Sequence, residues 1–209
     1  MALEEEVLLK GKKVFIRPMK LKDVELMCNW PPFTDLLASS NFFLRRSPAE
    51  SEAWFNLQVS DPTRLLYAID DLAGNLIGRL SLREIKRPRS ARLGITLRPD
   101  RMGQGYGTDA ICTFLAHFFE ELGFASLYLD VAAANQRAVR CYKKCGFRYV
   151  GSHYSWAGTN SQLAFLEKEE NRHLRRFFRR KNGNNLALFY DMKIDRADWE
   201  KLKAGAVST

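Results

Sequence analysis

The stretch Arg101-Met102-Gly103-Gln104-Gly105-Tyr106-Gly107-Thr108 constrains the fold more than any other part of this chain. Upstream, Ala91, Leu93, Ile95 and Leu97 alternate with Arg92, Gly94, Thr96 and Arg98, the period of a strand with one buried face. Downstream, Thr108–Leu122 predicts a helix ended by Gly123. Strand, glycine loop and helix N-terminus in that order bring bare backbone N–H groups to the positive end of a helix dipole, a geometry that suits a diphosphate. Arg101 can add charge there. The same glycines also suit a turn that binds nothing. A dinucleotide loop wants a third glycine where Thr108 stands, although Asp130 lies at a plausible distance for its acid. A Walker loop needs Gly-Lys-Ser/Thr, which is absent.

A second run, Asn135 to Phe147, predicts a helix over Asn135–Cys145 with Asn135 at its cap. Asn135, Ala138 and Tyr142 share one side of it. An ordinary capped helix with a core tyrosine fits, and so does a tyrosine hydroxyl that gives a proton to a leaving thiolate.

The remaining pattern places these motifs in a mixed-sheet α/β domain. Val14–Pro18 predicts a strand, Leu21–Trp30 a helix stopped by Pro31-Pro32. Ser47-Pro48-Ala49-Glu50 opens a helix that runs to about Ser60. Leu65–Ile69, Leu76–Ile85 and Ala91–Leu97 predict strands joined by short antiparallel turns. Ser126–Val131, Phe147–Ser152 and Leu186–Ile194 are further strands, and Arg196–Lys203 a short helix.

The 209 residues, 46% hydrophobic, are expected to form one domain with a substantial core. The formal charge of +9 favours anionic partners and argues against a polycationic acceptor. Cys28, Cys112, Cys141 and Cys145 contain no Cys-x-x-Cys pair, and only His117, His153 and His173 could add imidazole, so no metal is expected. The acidic start Met-Ala-Leu-Glu-Glu-Glu lacks the form of a signal peptide, and no apolar stretch approaches a membrane span. A cytoplasmic protein with no membrane contact, a monomer or homodimer, is expected.

The joint pattern, Arg-Met-Gly-Gln-Gly-Tyr-Gly-Thr-Asp-Ala followed by Val-x-x-x-Asn-x-x-Ala-x-x-x-Tyr-x-Lys-x-Gly-Phe, resembles the GNAT superfamily of acetyl-CoA-dependent N-acetyltransferases. The form of the glycine segment looks most like its RimJ/RimL-type branch. The strong part covers Ala91 to Val150. The resemblance implies a mixed, mostly antiparallel sheet with helices on both faces. It implies that the strand ending at Leu97 and Arg98 pairs with the pantetheine arm. The N–H groups of Gly103, Gln104, Gly105, Tyr106, Gly107 and Thr108 then hold the diphosphate, with Arg101 and Met102 among the cofactor-binding residues; Asn135 contacts the arm or orders the strand nearby, and Tyr142 is the general acid. Acetyl-CoA is the co-substrate, and the amine attacks it directly, helped by proximity and orientation.

Two departures matter. Met102 stands where the family pattern has Arg or Gln. Arg92 stands where many members carry a glutamate base, which leaves Glu84 or a water relay as candidates. Cys141 is read as a buried structural thiol, because direct transfer needs no nucleophile. Residues 153–185 form a long basic connection before the last strand, with Leu163, Leu166, Leu174, Phe177 and Phe178 spaced for an amphipathic helix. Arg172, Arg175 and Arg176 on it are weak candidates for the acceptor side, together with Arg92. The expected acceptor is a protein N-terminal amine, ribosomal or other, with contact to nucleic acid or a ribosome through the basic connection. The alternatives are a small-molecule amine and a non-catalytic module that binds CoA or RNA.

Overall fold

The computed structural model describes residues 8–33 and 47–207. The acidic start of the chain lies outside the described residues. The strands are β1 (Leu9–Lys10), β2 (Val14–Pro18), β3 (Leu65–Asp71), β4 (Leu76–Lys86), β5 (Ser90–Leu97), β6 (Ser126–Ala132), β7 (Arg148–Trp156), β8 (Phe178–Lys181) and β9 (Asn184–Asp195). The helices are α1 (Leu21–Cys28), α2 (Pro48–Ser60), α3 (Tyr106–Ala116), α4 (Gln136–Lys144), α5 (Asn160–Leu163) and α6 (Arg196–Val207).

One sheet runs β1-β2-β3-β4-β5-β6-β9-β7, with β8 paired to β9. Every neighbouring pair is antiparallel except β5 with β6. The mixed α/β fold expected from the sequence is therefore present. The hairpins around β3, β4 and β5 form as their turn residues predict.

Alternation along β3 separates the two faces of the sheet. Tyr67 and Ile69 join the main core, where α3 contributes Phe114 and its continuation Phe118 and Phe119. Ala68 joins a smaller core on the other face with Val24 and Met27 of α1. Helix α2 begins as its sequence demands: the Ser47 hydroxyl accepts from Glu50 N at 3.3 Å, and Glu50 Oε2 accepts from Ser47 N at 2.7 Å. After Ala116 the helix widens into a π-turn over His117–Glu121, in which Leu122 N donates to His117 O at 2.9 Å. Phe118 and Phe124 stack at 4.7 Å beneath it.

The connection before the last strand differs from the single amphipathic helix expected there. It is a short α5, two runs of 3₁₀ turns over Ala164–Glu167 and Glu169–Phe177, and then β8. Lys168 is extended, with φ −66° and ψ 139°, and interrupts the helical path. Leu174 and Phe177 still bury their side chains, against Ala133 and Ala134. Asn182 and Gly183 both have positive φ, 49° and 76°, and close the β8–β9 hairpin. An Asn-Gly pair between strand-forming residues is the usual signal for such a two-residue turn.

Candidate active site

The site begins where two strands stop pairing. β5 and β6 run parallel and pair only at Ser90–Ser126, Ala91–Leu127 and Arg92–Tyr128. Beyond Arg92 they separate, so the edge of β5 from Leu93 to Leu97 faces a gap. β6 continues to pair on its other side with β9, up to Ala132 opposite Phe189. The gap is thus held open by a strand that is fixed from behind.

On one side of the gap lies a groove of about 280 Å³. Ile95 and Leu97 of β5, Gly103, Gly105, Gly107 and Thr108 of the glycine segment, and Cys141 and Tyr142 of α4 are among its walls. Gly103 and Gly105 have φ of 78° and 87°, where a side chain is strained, and Gly105 is the N-cap of α3. A Cβ at Gly107 would stand 3.4 Å from Leu97 Cδ1. The first N–H groups of α3 have no intrahelical acceptor, and they open on the groove with the positive end of the helix dipole.

The motif aspartate has a structural task. Asp109 carboxylate oxygens accept from Lys12 N at 3.2 Å and Lys13 N at 2.7 Å, and tie the β1–β2 turn to α3. Lys13 Nζ in turn donates to Gln104 O at 3.0 Å.

Not every residue of the segment reaches the groove. Arg98 pairs with Asp100 at 2.8 Å, and Arg101 extends toward Asp71 at 3.7 Å, so neither lines it. Gln104 Nε2 donates to Asp100 O at 2.7 Å, and Tyr106 lies under the Lys13 ammonium. Met102 does line the groove, and Arg137 Nη2 donates to its sulfur at 3.4 Å. The cations at the groove are Arg137, Arg140 and Lys144 of α4 rather than Arg101. These basic residues follow Asn135 in helical order, a signal the sequence carried but that the glycine segment overshadowed.

On the other side of the gap is a second cavity of about 500 Å³. Ile95, Asn135, Ala138 and Tyr142 line both spaces, so the two meet at these residues. Asn135 Oδ1 accepts from Ala138 N at 3.1 Å and caps α4, which fixes the approach of the helix. Tyr142 is buried against Phe147, edge to face at 5.9 Å. Burial foremost, with the neighbouring Cys141 and Asp130, raises the Tyr142 phenol well above its ordinary value. The phenol is therefore protonated at neutral pH.

Cys141 is half-buried and lines the groove, unlike the buried thiol expected at that position. Its Sγ lies 3.3 Å from Thr108 Oγ1. The hydrogen bond with Cys145, against the opposing effect of burial, lowers the Cys141 thiol to about 6, and Thr108 and Lys144 act in the same direction. Cys145 is the buried thiol of the pair.

The acceptor-side candidates are placed differently from expectation. Glu84 sits in the β4–β5 irregularity with φ 51°, is exposed, and pairs with Arg92 at 3.2 Å. It lines neither cavity. Arg92 is bound between Glu84 and Asp130. Arg172 and Arg176 are exposed on the 3₁₀ turns, while Arg175 donates to Leu166 O at 2.7 Å and Glu167 O at 2.9 Å. The second cavity instead takes its charged groups from Arg64, Arg79, Arg83 and Asp130. Arg79, Ser81 and Arg83 alternate with Leu80 and Leu82 along β4, so a period-two reading of that strand could have placed them on one face.

Residues 13–148 match the family model described as acetyltransferase (GNAT) domain. The chain belongs to the GNAT acetyltransferase family. Among its relatives, the spermidine N(1)-acetyltransferase of Vibrio cholerae is 34% identical over 99 residues, 47% of this chain and 57% of that protein. The mycothiol acetyltransferase of Propionibacterium freudenreichii is 33% identical over 110 residues, 51% of this chain and 33% of that protein. The chain thus matches little more than half the length of the first and a third of the second. Among solved structures, the spermidine N-acetyltransferase from Vibrio cholerae in complex with CoA and spermine superposes with a TM-score of 0.65 at 24% identity. The match covers 89% of this chain and 97% of that one, and it shows the shared fold.

Proposed function

We propose that this chain transfers the acetyl group of acetyl-CoA directly to the primary amine of a small molecule. The observation that carries this reading is the position of Tyr142, at the junction of two cavities that open on opposite sides of the β5–β6 gap.

The groove residues fit the co-substrate. The N–H groups from Gly103 to Thr108 suit a diphosphate, with Arg137, Arg140 and Lys144 beside them. The unpaired edge of β5 from Leu93 to Leu97 offers backbone groups to an extended, amide-bearing arm. Acetyl-CoA supplies an activated thioester, which needs no covalent enzyme intermediate. Tyr142, kept protonated by burial, is the group placed to donate a proton to a departing thiolate. Asn135 sets the position of α4, and so of Tyr142, through its cap. An amine held in the second cavity approaches from the opposite side and releases its own proton to solvent, and Glu84, which lines neither space, is not placed to take it. Proximity and orientation supply much of the rate.

The relatives above are named for small molecules, spermidine and mycothiol. This supports a small-molecule amine over a protein N-terminus, and over the RimJ/RimL-type reading that suggested one. Isothermal titration with acetyl-CoA is the first test, and binding in the micromolar range is expected. Absence of binding at high micromolar concentration would overturn the reading. Binding without thiol release across a broad amine panel would favour a non-catalytic CoA-binding module.

A further inference from the structure

Given that reading, the charge of the second cavity bears on which amine it accepts. Arg79, Ser81 and Arg83 present alternate positions of β4 to it, and Arg64 enters from β3's approach. Against three arginines the described lining holds one carboxylate, Asp130. That carboxylate is already engaged: Arg92 Nη1 lies 2.9 Å from its Oδ1, and Arg83 Nη2 lies 3.9 Å away. A cationic guest therefore meets no open acid among the described lining residues. Arg64 is held in place by Asp61 at 3.0 Å and Gln58 at 2.8 Å, and Arg79 lies over the Trp54 ring at 5.5 Å. Arg64 and Arg79 are thus held by neighbours before any guest arrives, which reduces the ordering cost of binding. The Ser81 and Thr96 side chains border the same space.

A polyamine would bring several ammonium groups beside these arginines, and like charges in a partly enclosed site repel. A carboxylate or phosphate would be matched by the planar donor fork of arginine. We infer that the acceptor is a small primary amine that also carries an anionic group, a carboxylate or a phosphate, seated by Arg79 and Arg83 with the amine directed to Tyr142. The acceptor class then differs from the one in the name of the spermidine relative.

The test is thiol release from acetyl-CoA with matched acceptors: amino acids beside the amines left by their decarboxylation, O-phosphoethanolamine beside ethanolamine, and spermidine. The anionic member of at least one pair should be preferred in kcat/KM by about tenfold or more, the scale of one charge-assisted hydrogen bond. Which pair responds separates carboxylate from phosphate. Arg83→Gln and Arg79→Gln should reduce that preference about tenfold while leaving the acetyl-CoA Kd unchanged, and Arg83→Lys should retain part of it. Preference for spermidine, or for the decarboxylated member throughout, overturns the anionic acceptor and leaves acetyl transfer standing. Thiol release with none of the amines, with acetyl-CoA still bound, overturns acetyl transfer itself and the acceptor class with it.

Discussion

Arg92 and Asp130 join β5 to β6 at 2.9 Å across the point where the two strands cease to pair. Arg92 is the last residue of β5 in register with β6, and Asp130 lies two residues beyond its partner Tyr128. The ion pair therefore holds the base of the gap on which both cavities depend. Arg92, which stands where the family resemblance places a glutamate base, has a structural task in this pair.

Asp130→Asn should weaken this junction. Loss of a charge-assisted hydrogen bond to Arg92 predicts a destabilisation of about 1–2 kcal/mol. In a domain of this size that lowers Tm by roughly 2–4 °C for each kcal/mol. A thermal melt unchanged from the parent would show that the pair does not hold the strands.

Tyr142→Phe should lower kcat by about 10²-fold or more, the usual contribution of a positioned acid, with little change in acetyl-CoA affinity. The folded-state phenol is raised above its ordinary value, chiefly by burial. It stays protonated up to and beyond the pH at which a free tyrosine ionises, about 10. The kcat profile should then show no decline caused by Tyr142 between pH 7 and about 10. A parent-like kcat in the phenylalanine variant removes the proton-donor role.

Cys141 offers a chemical probe of the groove. Its thiol is lowered to about 6, so the reactive thiolate should form as pH rises through that value and be nearly complete by neutrality. Alkylation by iodoacetamide, followed by peptide mass spectrometry, should reach its plateau below the range of an ordinary cysteine, about 8.5. Acetyl-CoA should slow the reaction, because Cys141 lines the groove beside Gly107 and Thr108. Equal alkylation with and without acetyl-CoA would place the co-substrate elsewhere.

Gly105→Ala isolates the glycine segment. The new methyl group would lie 3.5 Å from Lys13 Nζ, which can move, so the cost is conformational. At φ 87° a side chain costs about 1–2 kcal/mol, either as lost stability or as a shift of the helix start. Calorimetry should show weaker acetyl-CoA binding with the melt lowered by a few degrees. Binding and stability both equal to the parent would mean that the left-handed turn is not required.

Much of this architecture could be read along the chain. The β3–β4–β5 hairpins carry local turn residues and a period-two pattern, and α2 carries its complete capping signal at Ser47 and Glu50. The glycine segment and the Asn135–Tyr142 helix declared their spacing, since a helical period relates residues that are close in sequence. The 160–177 segment misled because apolar spacing alone does not separate an α-helix from successive 3₁₀ turns. There, Arg175 binds the carbonyls of Leu166 and Glu167, a contact eight and nine residues back that no local period encodes.

The sequence by itself determined the local grammar: strand, glycine loop, capped helix, and the residues that make a diphosphate cradle plausible. Only the tertiary structure decided how those parts face one another. It separated β5 from β6 after Arg92, drew Arg101 away to Asp71, and brought Arg137 from another helix to the glycine segment. It also gathered Arg64, Arg79, Arg83 and Asp130 from two strands and a loop around one cavity. Backbone propensities and turn chemistry act over a few residues, whereas ion pairing and cavity lining act through space, between residues whose separation along the chain carries no signal of their contact.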